Sequence, residues 1–291
     1  MIVRPRRSAL YMPGSNARAL EKAKALAADV LIFDLEDAVA PDAKAMARDQ
    51  VCAAAKAGGF GRREIVIRIN ALNTPWGAAD LTAAAAARPD AILIPKVSEP
   101  GDVLGVAQTL DAAGVRSDTR LWAMMETPLA MLNAKAIAAA ARETPRFACL
   151  VMGTNDLAKE TRAELTQDRA AMMGWLMTCL AAGRAYGLDI LDGVYNNFKD
   201  AAGLQREALQ GKSMGMDGKT LIHPDQLAQC NETFSPSAGD VEHARKIIAA
   251  FALPENKGRG VITVDGRMVE LLHAEMAART VAIADAIAAA G

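Results

Sequence analysis

The sequence predicts a closed (β/α)8 TIM barrel with a small C-terminal α-helical extension that carries a short hairpin. Eight short apolar runs alternate with longer segments of helical period up to residue 232. Such alternation implies parallel strands joined by helical crossovers, and eight units is the number that closes a barrel. Three of the runs also end on carboxylates: Asp34, Glu36 and Asp37; Glu126; and Asp156. Buried charge is costly unless something cationic meets it. These acids therefore point at one shared site, and that site is expected to hold a metal ion.

The strands expected, in order, are SALYM (8–12), VLIFDLE (30–36), EIVIRIN (64–70), AILIPK (91–96), LWAMME (121–126), CLVMG (149–153), DILDGVY (189–195) and KTLIH (219–223). Helices are expected near 16–28, 42–57, 76–87, 100–113, 128–142, 168–186 and 199–211, with a short one at 225–231. Thr127 before Pro128 is a helix start, with an N-cap hydroxyl and proline at the first helical position. Pro41-Asp42, Pro100 and Pro224-Asp225 open three more helices. Gly58-Gly59, Gly114 and Gly187 fall just past helix ends, where a left-handed residue is often needed. The Ala-rich stretches at 83–87 and 136–141 read as helices packed closely on a sheet.

The pattern divides the chain into a catalytic barrel, 1–232, and an extension, 233–291. SPSAGD (235–240) reads as a linker and helix cap, followed by a helix at about 239–252 and the polar loop PENKGRG. VITVDGRMV (261–269) reads as a strand or hairpin leading into a final helix to about 289. This extension is too small for a ninth barrel unit and reads as an appendage that folds over something, such as a neighbouring subunit.

Composition narrows the function. The 291 residues fit a single α/β barrel with an added piece, and 52% hydrophobic residues support a large core. A formal net charge of -1 gives no pull toward nucleic acid or an anionic membrane, and 4% aromatics argue against base stacking. Cys52, Cys149, Cys179 and Cys230 show no metal spacing and read as reduced, buried thiols of a cytoplasmic protein. No run approaches the ~20 apolar residues of a membrane span, and the N-terminus does not read as a signal peptide. The fourteen methionines read as core filler.

The strand ends gather one set of polar residues: Tyr11 to Gly14, Asp34, Glu36, Asp37, Arg68, Asn70, Pro95-Lys96, Glu126, Asp156, Asp192 and His223. Glu126 and Asp156 follow adjacent strands, ~4.8 Å apart, and can grip one small cation. Two carboxylates completed by water and substrate is how proteins hold Mg²⁺, and the lack of histidine disfavours Zn²⁺. The competing reading is that Glu126 caps a helix and Asp156 a turn. Arg68 and Asn70 share a strand face, and the guanidinium suits bidentate binding of a substrate carboxylate or an ion pair with Asp34 or Glu36. His223 reads as a packed, hydrogen-bonded residue. Lys96 is admissible as a Schiff-base lysine, but a carboxylate-held metal makes that unnecessary.

The pieces RSALYMPGS, DLEDAV, RIN, PK, METP, MGTNDL and GKTLIHP, spread over 7–224, resemble the citrate lyase β-subunit-like CoA-ester lyases of the HpcH/HpaI aldolase superfamily. VDGRMV (264–269) resembles the tail motif of malyl-CoA and citramalyl-CoA lyases. The resemblance implies a Mg²⁺-dependent barrel, with Mn²⁺ as an alternative. Its substrate would be a CoA thioester, a 3-hydroxyacyl-CoA of malyl or citramalyl type. The carbon–carbon bond would be broken or made between acyl-CoA and a 2-oxo acid such as glyoxylate or pyruvate.

It further implies Glu126 and Asp156 as metal ligands, with Glu36 and Asp37 beside the metal's water shell. Arg68 would sit on the 2-oxo acid carboxylate, and Tyr11 and Lys22 against CoA. Asp265 would reach the adjacent subunit's site in a homotrimer or hexamer and move a proton to or from the acyl carbon. Two alternatives stand beside this. One is a citrate lyase β subunit, turning a citryl thioester into oxaloacetate and an acetyl thioester with carrier partners. The other is a metal-dependent aldolase on free hydroxy-oxo acids. The acyl group stays open, because one methyl changes a pocket contact worth only ~1–3 kcal/mol.

Overall fold

Eight parallel strands close into a barrel in the computed structural model, which describes residues 4–290. They are β1 (Ser8–Pro13), β2 (Val30–Asp34), β3 (Glu64–Arg68), β4 (Ala91–Ile94), β5 (Arg120–Met125), β6 (Phe147–Met152), β7 (Asp189–Asp192) and β8 (Gly218–Leu221). Each pairs with the next, and β8 pairs back with β1 through Ser8 opposite Lys219. All eight expected strands are present. All but β1 end one to three residues earlier than expected.

Alternation along the strands divides the core in two. Ala9, Val30, Ile32, Val66, Ala91, Leu93, Trp122, Met124, Cys149, Val151 and Leu191 form an inner cluster filling the barrel. The residues between them, among them Leu31, Phe33, Ile67, Ile92 and Leu150, pack with the helices. These helices are α1 (Ala17–Lys22), α2 (Lys44–Ala57), α3 (Gly77–Ala87), α4 (Pro100–Ala112), α5 (Pro128–Ala139), α6 (Thr154–Thr161), α7 (Met173–Ala185), α8 (Ala201–Met214) and α9 (Leu227–Phe234). The start signals act as expected: the Thr127 hydroxyl accepts from Ala130 N at 3.0 Å, with Pro128 opening α5. Gly114 and Gly187 take positive φ (64° and 72°) just past α4 and α7.

Three boundaries differ from expectation. The first helix stops at Lys22, with a short 3-10 turn to Ala25, instead of reaching residue 28. The segment expected as a helix from 168 starts at Met173. Helix α6 was not anticipated, because its apolar residues are Leu157 and Ala158, too few to show a period. Asp156 therefore stands in the first turn of a helix and not on a strand end.

The N-terminal end of the barrel is closed by one arginine. Arg6 makes a two-pronged contact with Glu64 (2.7 Å for both hydrogen bonds), a third with Asp189 at 2.6 Å, and lies over the Trp122 ring at 4.8 Å. Glu64 is 2% exposed, so this pairing is what makes its burial tolerable.

A second compact unit comprises Arg4, Pro5 and the chain from Ser235 onward. The expected break lay at 232/233; α9 runs on to the buried Phe234 and carries the first unit two residues further. The second unit holds α10 (Ala238–Ala252), β9 (Val261–Val264), β10 (Arg267–Glu270) and α11 (Leu271–Ala290). Ala244, Ile247, Ile262, Val264, Val269 and Ala277 form its small core. The hairpin turns on Asp265 and Gly266, both at positive φ (50° and 75°), the Asp-Gly pairing that a two-residue hairpin favours. Among the described residues no helix is long and apolar enough to cross a membrane.

Arg6→Ala would strand Glu64 as a buried, unpaired charge. The expected loss is about 3–5 kcal/mol in denaturant unfolding; a change below about 1 kcal/mol would show that the floor pairing contributes little.

Candidate active site

At the opposite end, the inward-facing residues are charged. Register places Asp34 of β2 beside Arg68 of β3. The Arg68 Nε and Nη2 donate to the two Asp34 oxygens, both at 2.7 Å. Asp34 also accepts from the N–H groups of Glu36 (2.9 Å) and Ala38 (3.0 Å). Burial pushes the Asp34 carboxyl up, but Arg68 and these donors outweigh it and hold it below the ordinary range. Tyr11 lies over the Arg68 guanidinium, 4.8 Å from centroid to charge. The two-pronged face of Arg68 is thus occupied by Asp34. Nη1 faces the acids beyond, 3.0 Å from Asp37 and 2.8 Å from Glu36, so Arg68 makes the ion pair with Asp34 that the sequence offered alongside substrate binding.

Glu36 is in a different state. It is buried, and its Oε2 lies out of line for a hydrogen bond with Arg68 and has no other partner. Burial pushes its carboxyl up to about 8; Arg68 opposes this, while the charges of Glu126, Asp37 and Asp34 add to it. Lys44 does not neutralise Glu36, because its ammonium donates to the backbone carbonyls of Leu35 (2.9 Å) and Glu36 (2.7 Å).

Glu126 follows β5 and is 1% exposed. Its Oε1 accepts from the Lys96 N–H at 2.8 Å. The Lys96 ammonium reaches Asp156 Oδ2 at 2.5 Å and stands 3.6 Å from Glu126 Oε1. One cation therefore faces both of the expected metal ligands. Burial pushes Glu126 up to about 7 against the pull of Lys96 and Arg68. Gly153, between β6 and α6, makes the approach of Glu126 possible: a Cβ there would lie 2.4 Å from Glu126 Cβ and 2.6 Å from Oε2. Lys96 was legible only as a possible Schiff-base lysine, and Gly153 only as one letter of the MGTNDL motif.

Three expected mouth residues belong elsewhere. Asp192 has the opposite parity to the interior Leu191 and faces the helices, where it accepts from Arg169 Nη1 (2.7 Å) and Lys219 Nζ (3.1 Å). Asn70 is tied to Asp80 of α3, through its N–H at 3.0 Å and its amide at 2.6 Å. His223 stacks on Phe198 at 4.6 Å and accepts from Asp225 N, the packed role expected of it. Lys22 is exposed in the last turn of α1. Asp265 belongs to the second unit, at the exposed hairpin tip, with His243 at 3.9 Å and Lys246 at 4.0 Å.

The residues at the mouth fit a hard divalent cation. Among the described residues, Asp34, Glu36, Asp37, Glu126 and Asp156 are met by Arg68 and Lys96, the nearby Lys44 ammonium donates to the carbonyls of Leu35 and Glu36 instead, and the buried Glu36 Oε2 has no donor in line. All the donors are carboxylate oxygens, which select Mg²⁺-like ions. Among the described residues no group of three or more acids, histidines or cysteines converges on a metal position. Glu126 and Asp156 are the two acids that one ammonium brings together, at 3.6 and 2.5 Å from Lys96 Nζ.

Fold and site together define a (β/α)8 barrel whose mouth is lined with acids. The chain belongs to the HpcH/HpaI aldolase/citrate lyase family, which it matches over residues 7–224. It is an enzyme of a carbon–carbon lyase family. It is 53% identical to a (3S)-malyl-CoA thioesterase of Cereibacter sphaeroides, over 99% of this chain and 97% of that one. An L-malyl-CoA/beta-methylmalyl-CoA lyase of the same organism is 33% identical over 98% and 96% of the two chains. The crystal structure of CitE from Mycobacterium tuberculosis in complex with magnesium, acetoacetate and coenzyme A superposes with a TM-score of 0.72, at 29% identity over 95% and 97% of the chains.

The raised Glu36 has a pH signature. Folded, it keeps its proton to about 8, while the unfolded chain releases it near the ordinary 4.5. The folded state binds more protons in that window, so stability falls as pH rises through it. Metal-free protein should lose denaturant midpoint between these limits, and Glu36→Gln should flatten the fall. A variant with the parent's slope would show that Glu36 ionises freely.

Proposed function

We propose that this chain is a Mg²⁺-dependent lyase acting on a malyl-type 3-hydroxyacyl-CoA, breaking or making the bond between an acyl-CoA and a 2-oxo acid such as glyoxylate. The observation that carries this reading is the single ammonium facing Glu126 and Asp156 in a mouth short of positive charge. The relatives' printed substrates, malyl-CoA and beta-methylmalyl-CoA, support the substrate class.

A divalent ion held by Glu126 and Asp156 supplies Lewis-acid polarisation of a bound substrate oxygen. The chain's residues do the rest. The Lys96 N–H orients Glu126, and Asp34 orients Arg68 so that Nη1 offers one donor to a substrate carboxylate. Glu36, whose carboxyl burial pushes up and whose Oε2 stands 2.8 Å from Arg68 Nη1, would carry a proton at the mouth. Asp37, exposed beside it, orders water at the mouth. Tyr11 and Lys22 lie on β1 and α1, the side assigned to CoA. Asp265, at an exposed tip, is assigned to proton transfer at the acyl carbon of a neighbouring copy in a homotrimer or hexamer. Four free, buried thiols fit a cytoplasmic setting.

A second reading is hydrolysis of the same thioester, favoured by the 53% identity to a thioesterase over nearly the whole chain. Products separate the two. Malyl-CoA with Mg²⁺ should release glyoxylate, trapped as its hydrazone, together with acetyl-CoA and no free thiol. Free CoA thiol and malate without glyoxylate would establish hydrolysis, and no turnover of any CoA ester without an acyl carrier would favour a citrate lyase β role.

Two variants test the assignments. Asp156→Asn should lower turnover by about 10²-fold or more and abolish the response to added Mg²⁺; unchanged turnover would remove Asp156 as a ligand. Asp265→Ala should lower kcat with little change in KM. Parental kcat would leave that residue a turn-former only.

A further inference from the structure

We propose that Lys96 is a built-in cation that occupies the metal position and competes with the divalent ion for Glu126 and Asp156. This rests on the metal reading above and adds to it that metal must displace a residue of the chain.

The backbone supplies the first observation. Lys96 has φ of 54°, a left-handed conformation that costs a side-chain-bearing residue about 1–2 kcal/mol and usually falls to glycine. That conformation turns its N–H onto Glu126 Oε1, while its ammonium reaches Asp156. One strained residue thus engages both acids, through two different groups.

Charge supplies the second. Glu126 is 1% exposed and would be a nearly bare buried charge without a cation beside it. The Lys96 ammonium, 3.6 Å from Glu126 Oε1, meets that need. An ammonium held at Asp156 Oδ2 and close to Glu126 Oε1 repels a divalent ion brought to the same two carboxylates. The Lys96 side chain is 31% exposed, so its flexible stem has solvent to move into when metal arrives. The N–H contact to Glu126 does not depend on the ammonium and survives that movement.

Calorimetric titration of Mg²⁺ into substrate-free protein tests this. Lys96→Gly keeps the N–H and suits the positive φ; Lys96→Gln keeps the backbone strain and removes only the charge. Both variants should bind Mg²⁺ more tightly than the parent, by about tenfold, since a competitor has been removed. Chelator-treated Lys96→Gln should also melt below the parent and recover with Mg²⁺. Equal or weaker Mg²⁺ binding in both variants, with the parent still binding, would overturn the proposal and leave the metal reading intact. Absence of Mg²⁺ binding in all three would overturn both. Binding by the variants alone would support the competition in its strongest form.

Discussion

The rest of the mouth depends on a shortage of positive charge. Buried acids are tolerated when cations match them, and elsewhere in this barrel they do. At the floor, Arg6 serves both Glu64 and Asp189. Between barrel and helices, Arg169 and Lys219 serve Asp192 and Glu207. At the mouth, five acids meet Arg68 and Lys96, while the Lys44 ammonium is taken up by backbone carbonyls, and burial pushes the Glu36 and Glu126 carboxyls above the ordinary range. Such unequal pairing is costly to stability and is what a cation-binding catalytic site requires.

Within that shortage, Asp34 and Glu36 show how two carboxylates two residues apart reach opposite states. Asp34 takes both prongs of Arg68 and two N–H donors, and stays ionised. Glu36 stands beside the same guanidinium but out of line, and leans neutral. The first anchors a positive group, and the second retains a transferable proton. Both carbon–carbon cleavage and thioester hydrolysis can use such a pair, which is why products rather than geometry separate these reactions.

Much of this was legible in the chain. Eight apolar runs, the prolines at helix starts and the glycines past helix ends carry the barrel, because strand and helix periods are local properties. Glu126 and Asp156 stood out as acids closing apolar runs. Asp192 was misplaced because a strand-end polar residue looks the same from either face, and Asn70 because β3 ends at Arg68 and the alternation stops before it; their partners Asp80, Arg169 and Lys219 lie 10 to 27 positions away. Helix α6 was invisible because two apolar residues make no period.

The sequence by itself determined which residues are strands, which ends bear acids, and that a cation must meet them, since burial of charge follows from composition and pattern alone. Only the tertiary structure decided which cations arrive. It brought Arg68 onto Asp34 across two neighbouring strands, and it twisted Lys96 into a left-handed turn facing both Glu126 and Asp156. Those pairings arise from barrel closure, which joins residues distant in the chain at distances no local pattern records.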